Sequence, residues 1–212
     1  MIVQTGRRTA PIKMENSGMT KYRSILLFGA PGAGKGTQGK ILGTIPNFFH
    51  CACGDVFRGL TATSPIGREF IEYSSRGELV PDGTTIRLWQ QFIENMTRSG
   101  RFHAETDVLV LDGIPRNVKQ AEMLKDILDV RAIFYLSCPS MDKLVERLQR
   151  RALRENRLDD ANLEIIRHRL NTYEAETKPV LNYYGSERVH PIDSTEAPAQ
   201  VLEQILRHVV KI

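Results

Sequence analysis

A glycine-rich stretch, Gly29-Ala30-Pro31-Gly32-Ala33-Gly34-Lys35-Gly36-Thr37-Gln38, follows a short apolar run and opens a helix that the pattern carries to about Leu42. Glycines without a Cβ let consecutive backbone N–H groups converge on phosphate oxygens. The helix start adds positive potential, and Lys35 brings a mobile charge to the β and γ phosphates. Cradles of this kind usually carry Ser or Thr directly after the lysine; here Gly36 intervenes, so Thr37 supplies the hydroxyl that would face magnesium. A carboxylate stands at a second place. Val108-Leu109-Val110-Leu111-Asp112 reads as a strand ending in an acid, at the carboxyl edge where doubly wound sheets bind ligands, and an arginine follows within Gly113-Ile114-Pro115-Arg116. Between positions 147 and 169 the chain holds Arg147, Arg150, Arg151, Arg154, Arg157, Arg167 and Arg169 and no lysine. Planar guanidinium forks match phosphate oxygens better than point charges do. Arg147, Arg151 and Arg154 follow i, i+4, i+7 spacing on one side of a helix whose buried stripe would be Met141, Leu144, Val145 and Leu148. The chemistry these residues suit is the binding and transfer of phosphoryl groups.

The elements that must position them are short apolar runs at Ser24–Phe28, Phe48–Ala52, Val108–Leu111, Ala132–Leu136 and Val189–Ile192, most of them separated by helical patterns. That alternation predicts an α/β fold with a doubly wound parallel sheet of about five strands covered on both faces. More than 50 residues, Cys53 to Asp107, separate the second run from the third, with Ser64-Pro65, Gly67, Gly77 and Pro81-Asp82-Gly83 as punctuation. This is more than one crossover needs, and predicts an inserted helical subdomain up to about Pro81, then a helix through Trp89, Phe92 and Ile93 returning to the sheet. Trp89, Tyr73 and Phe48-Phe49 read as core, and His50 and His103 as strand-edge or loop residues.

Composition narrows the class. The 212 residues are 41% hydrophobic and 25% charged, which excludes collagen, disordered tails and membrane bundles. No run approaches the roughly 18 apolar residues of a membrane span, and no apolar segment near the start suggests a secretory signal, so a cytoplasmic protein is expected. Cys51, Cys53 and Cys138 are too few for a disulfide framework and read as reduced thiols. Of the 29 basic and 25 acidic residues, five and one lie in positions 1–23, which leaves 24 of each: the net charge of +4 belongs to these first 23 positions. The arm reads as a flexible solvated tail. Its acid-poor composition also admits a transit peptide, and Met14 and Met19 a later start. A basic face with a nucleic-acid reading motif is not present.

Taken in order, these motifs resemble the adenylate kinases of the nucleoside monophosphate kinase family. The resemblance rests on Gly29 to Gln38, Gly54-Asp55-x-x-Arg58, Gly77-x-Leu79-Val80-Pro81-Asp82, Leu111-Asp112-Gly113-x-Pro115-Arg116-x-x-x-Gln120, Arg147-x-x-x-Arg151, Arg157-x-Asp159-Asp160, and Arg169-Leu170 with Tyr173 ahead of Lys178-Pro179. It implies a P-loop NTPase-type core over residues 23–51, 82–149 and 161–212, an acceptor-binding subdomain over 52–81, a short metal-free lid over 150–160, and a basic arm over 1–22. It further implies a monomer acting on ATP and AMP, or on ADP in reverse, with Mg²⁺ as cofactor and neither nucleic acid nor membrane as partner.

Residue roles follow from the same resemblance. Gly32, Ala33, Gly34, Lys35, Gly36 and Thr37 would wrap the donor phosphates. Arg147 would stack on the donor adenine, with Glu196 nearby. Arg58 and Arg116 would clamp the AMP phosphate, and Arg151, Arg157 and Arg169 would surround the transferring group. Cys53, Glu78, Leu79, Val80, Gly113, Ile114, Pro115 and Gln120 would line the AMP site, and Thr37, Asp55 and Asp112 would order the waters of Mg²⁺. Three departures stand out. Cys53 replaces the usual Thr, the link from Arg151 to Arg157 is short, and the stretch from Asp160 to Arg169 is one residue longer than in short-lid relatives, so Arg167 competes with Arg169. A UMP or CMP kinase shares the fold and the short lid, but Gln120 favours adenine. A catalytically silent nucleotide-binding scaffold would be marked by loss of Lys35, Arg116 or Asp112, and all three are present.

Overall fold

In the computed structural model, which describes residues 21–155, 157, 160 and 162–211, the apolar runs form five parallel strands. They are β1 (Tyr22–Phe28), β2 (Phe48–Ala52), β3 (Val108–Asp112), β4 (Leu128–Ser137) and β5 (Val189–Asp193), in the spatial order β2-β3-β1-β4-β5. All pairings are parallel because helices carry the chain back between strands. The helices are α1 (Lys35–Leu42), α2 (Cys53–Arg58), α3 (Pro65–Arg76), α4 (Asp82–Arg98), α5 (Val118–Leu124), α6 (Met141–Glu155), α7 (Leu163–Thr172), α8 (Val180–Tyr184) and α9 (Pro198–Val209). The arm expected over 1–22 lies outside the described residues up to position 20; Lys21 donates to the Lys125 carbonyl at 2.7 Å and Tyr22 already belongs to β1.

Period-2 alternation sorts the strands between two cores. Leu26, Phe28, Leu109, Leu111 and Ile133 face Trp89, Ile93, Phe102, Ala121 and Leu124. Ile25, Leu27, Val110, Ala132, Phe134 and Leu136 face Leu42, Leu144, Leu148, Ile166, Leu170 and Ile205. Strands buried on both faces read as continuous apolar runs, which is why four of the five were easily located. β4 is the exception: it begins at Leu128, four residues before the expected start, because Asp129 and Arg131 interrupt the apolar signal. Those two side chains pair at 2.7 Å, and the register with β1 shifts there, Ser24 facing Val130 and Ile25 facing Ala132. Arg131 is the extra residue of a bulge.

The segment between β2 and β3 holds α2, α3 and α4. Ser64 caps α3, its Oγ accepting the Gly67 N–H at 3.0 Å with Pro65 at the first helical position, and Gly77 ends the helix at φ 73°. In α6, Leu144 and Leu148 are buried and Val145 packs beside them, but Met141 is 47% exposed. Met141 is the first residue of the helix and precedes the turn that reaches the core, so the expected stripe is one residue shorter. Trp89 is core at 1% exposure, whereas Phe48 and Phe49 are only partly buried and Tyr73 lies under the Arg76 guanidinium, 5.2 Å from its ring centre. His103 lies in a loop, its side chain 64% exposed. A π-helical turn at Tyr173–Thr177, continuing α7, had no counterpart in the sequence reading. One extra residue in a helix is absorbed by such a turn, often beside a functional site.

Candidate functional site

β1 is the central strand, and the glycine-rich loop leaves its carboxyl end between β3 and β4. Leu27 is level with Asp112, and Phe28 with Tyr135. Gly34 forms the N-cap of α1 at φ 99°, where an added Cβ would meet nothing within 4 Å: the loop opens toward empty space while its backbone takes a shape that side chains resist. Lys35 runs back along the loop, its Nζ donating to the carbonyls of Gly29 at 2.7 Å and Ala30 at 3.1 Å. Burial, together with the charges of Arg116, Arg151 and Arg169 and against the pull of Asp112, lowers its pKa to about 8.

This loop floors a cavity of about 880 Å³ whose walls come from α1, α2, α3, α6, α7 and the turns after β3 and β5. Among the described residues, ten lysines and arginines line it against five carboxylates, an excess suited to polyanionic ligands. Nearly all the expected site residues line it: Gly32 to Thr37, Cys53, Asp55, Arg58, Glu78, Leu79, Val80, Asp112, Gly113, Pro115, Arg116, Gln120, Arg147, Arg151, Arg157, Arg169 and Glu196. Ile114 does not; its side chain is 1% exposed and packs in the core on the Trp89 side. Arg169 lines the cavity, whereas Arg167 lines a separate shallow depression with Arg76, Glu164 and His168.

Carboxylates, of which Asp160 is buried and Asp55 and Glu155 are exposed, hold arginines of this wall. Asp160, fully buried, accepts Arg151 Nε at 2.7 Å on one oxygen and Arg169 Nη1 on the other. Burial and the neighbouring Arg157 and Arg169 push the Arg151 pKa down, with Asp160 opposing them. Arg157 pairs with Glu155 at 2.6 Å and approaches Asp55 to 3.8 Å, linking the segment after α6 to α2. Arg58 Nη2 lies 2.6 Å from Asp55 Oδ1. Burial would raise the Asp55 pKa, but Arg58, Arg157 and Lys40 outweigh it and the net shift is downward. Elsewhere in the cavity wall, Arg147 donates to the Ser194 carbonyl at 2.8 Å, and Gln38 ties α1 to α9 through the Pro198 carbonyl at 2.9 Å. Cys53 sits buried at the start of α2, its thiol pushed up to about 11 by burial, with the Asp112 charge adding to the rise and Arg116 and Arg58 opposing it. Both buried thiols near this wall are thus protonated at neutral pH, since Cys51 is raised as well, chiefly by burial.

A family model described as adenylate kinase matches residues 27–189, most of the chain. An adenylate kinase of Cyanothece sp. is 37% identical over 196 residues, covering 88% of this chain and 94% of the relative. One from Nocardia farcinica is 34% identical over 86% of this chain and 97% of its own length. The chain belongs to the adenylate kinase family. It is therefore a nucleoside monophosphate kinase.

Several cavity residues escaped the sequence reading. Phe57 and Phe70 stack with ring centres 5.1 Å apart in the cavity wall, and Thr177 reaches the cavity from the π-helical turn, as does Tyr173, which the last motif named without a role. An aromatic pair 13 positions apart leaves no periodic signal, and the π-helical turn leaves none at all. Asp160 and Asp82 stood in quoted motifs without a role; their value lies in partners remote in sequence.

Proposed function

We propose that this chain catalyses reversible transfer of the γ-phosphoryl group of Mg·ATP to AMP, giving two ADP. The observation that carries this reading is the single cavity in which the glycine loop and Lys35 face Arg58, Arg116, Arg151, Arg157 and Arg169 across the space where two nucleotides would meet end to end. The acceptor phosphate is already an anion near neutral pH, so no side chain has to remove a proton. Positioning and neutralisation of the equatorial oxygens supply the catalysis. Lys35 and the amides of Gly32 to Thr37 take the donor phosphates. Arg58 and Arg116 hold the acceptor phosphate, and Arg151, Arg157 and Arg169 surround the group in transfer. Arg147 and the Ser194–Glu196 loop flank the donor base, while Cys53, Glu78 to Val80, Gly113, Pro115 and Gln120 receive the acceptor nucleoside. Residues 52–81 act as the acceptor subdomain and 150–160 as a short lid on the remaining core.

The oxygen donors Thr37, at the exposed first turn of α1, and Asp112, at the end of β3, suit a hard cation that keeps several waters. Asp112 Oδ2 lies 3.5 Å from the Cβ position of Gly36, against the loop itself. When bound there with ATP, Mg²⁺ neutralises phosphate charge. Asp55 is already engaged by Arg58 and Arg157, so a supporting place is left to it.

Among the described residues no helix is long and apolar enough to cross a membrane. The test is phosphotransfer from Mg·ATP to AMP, CMP, UMP and GMP. AMP is expected to be the preferred acceptor, with a loss of at least 100-fold in Lys35→Met, on the order of removing one preorganised charge contact. Preference for CMP or UMP would assign the chain to a pyrimidine kinase, and absence of diphosphate in either direction would end the reading.

A further inference from the structure

At the acceptor end of the cavity, Gln120 is 1% exposed and held on both sides of its amide. Its Oε1 accepts the Arg116 backbone N–H at 2.8 Å, and its Nε2 donates to Asp82 Oδ1 at 2.9 Å. Asp82 opens α4, in the segment that returns from the acceptor subdomain, whereas Gln120 belongs to α5 of the core. Asn117, the cap of α5, accepts the Gln120 N–H at 2.8 Å and donates its own Nδ2 to the same Asp82 oxygen at 2.8 Å. Lys119 Nζ lies 3.6 Å from the other carboxylate oxygen, and the Asp82 side chain is 17% exposed.

A primary amide has two N–H donors and two lone pairs, and here one of each is spent on protein. Turning the amide over would set its oxygen against a carboxylate and its NH₂ against an N–H, so only one orientation is compatible with both partners. One N–H and one lone pair remain at fixed positions for a base. A 6-aminopurine offers a ring-nitrogen acceptor beside an amino donor; a 6-oxopurine offers the reverse, a ring N–H beside a carbonyl. An amide free to turn over serves both, whereas a locked one serves one, and the mismatched base leaves buried polar groups unpaired.

We propose that Asp82 is a positioning residue that locks the Gln120 amide and so makes the acceptor site select 6-aminopurine over 6-oxopurine monophosphates. This rests on the reading that the acceptor base occupies this end of the cavity. The experiment compares AMP and IMP as acceptors of Mg·ATP in wild type, Asp82→Ala, Asp82→Asn and Gln120→Ala. Asp82→Ala is expected to raise the KM for AMP up to about tenfold with a smaller change in kcat, and to lower the AMP/IMP ratio of kcat/KM by about tenfold, the loss of one hydrogen bond's orientation. Asp82→Asn keeps an acceptor oxygen and is expected to stay within about threefold of wild type. An unchanged ratio in Asp82→Ala beside a lowered one in Gln120→Ala overturns the proposal and leaves the site reading standing; an unchanged ratio in both removes the site reading itself. If Asp82→Ala does not fold, the side-chain amide of Gln120 in nucleotide-free wild type decides by ¹H–¹⁵N NMR. Two dispersed, slowly exchanging protons support the lock, and an averaged solvent-like pair overturns it.

Discussion

Burial and three neighbouring guanidinium groups lower the Lys35 pKa to about 8, yet the ligand its loop is shaped for is anionic. Phosphate oxygens raise that value on binding, so donor nucleotide binding at pH 8 is expected to take up about half a proton, and affinity to fall as pH rises beyond 8. Calorimetry in buffers of different ionisation heat measures this directly; a binding heat at pH 8 independent of the buffer contradicts it. Cys53 carries a second residue-scale expectation. A neutral buried thiol is a weak donor, and Cys53→Thr restores a hydroxyl in the same wall. The KM for AMP is expected to fall by ~0.5–1.5 kcal/mol, up to about tenfold. Unchanged KM together with unchanged rejection of CMP would show that the thiol is not read by the base.

At the scale of elements, the meeting of α6 and α7 depends on Asp160, which serves Arg151 from the one and Arg169 from the other. Removing the acid leaves two cations in a half-buried place. Asp160→Ala is expected to cost about 3–5 kcal/mol, and to lower kcat because both guanidiniums lose their bearing. Chemical denaturation and steady-state assays check the two halves separately; a variant as stable and active as wild type refutes the role. The packing of α1 on β2 has a comparable weak point. A Cβ on Gly39 would stand 2.2 Å from His50 Nε2, so Gly39→Ala is expected to cost about 1–3 kcal/mol and several degrees of Tm. The strand runs and the glycine loop were legible because apolar continuity and a short motif are local signals. The start of β4, the π-helical turn and the Asp82–Gln120 bond were not, since each is decided by a partner tens of residues away or by a register shift. The choice between Arg167 and Arg169 turned on helical phase, which only the neighbours of α7 could set.

For the whole molecule, the Arg157–Asp55 and Gly77–Arg169 approaches bring the proposed lid and α7 against α2 and the end of α3 around the cavity. Water competes for the γ-phosphoryl group, so the full cationic wall is useful only when these parts have closed. Opening is therefore expected to set turnover. Stopped-flow fluorescence between dyes on the lid and on α3 would give an opening rate close to kcat; opening far faster than kcat at every temperature would refute gating. The order of strands has one more consequence, for the chain as it is made. β1 is stitched to β3 and β4, strands that leave the ribosome some 80 to 105 residues later, and only that three-way seam holds the end of β1 where the loop can grip ATP. A nascent polypeptide halted near residue 100 is therefore expected to have the nucleotide motif in its sequence without binding nucleotide, and to gain that ability only with β4.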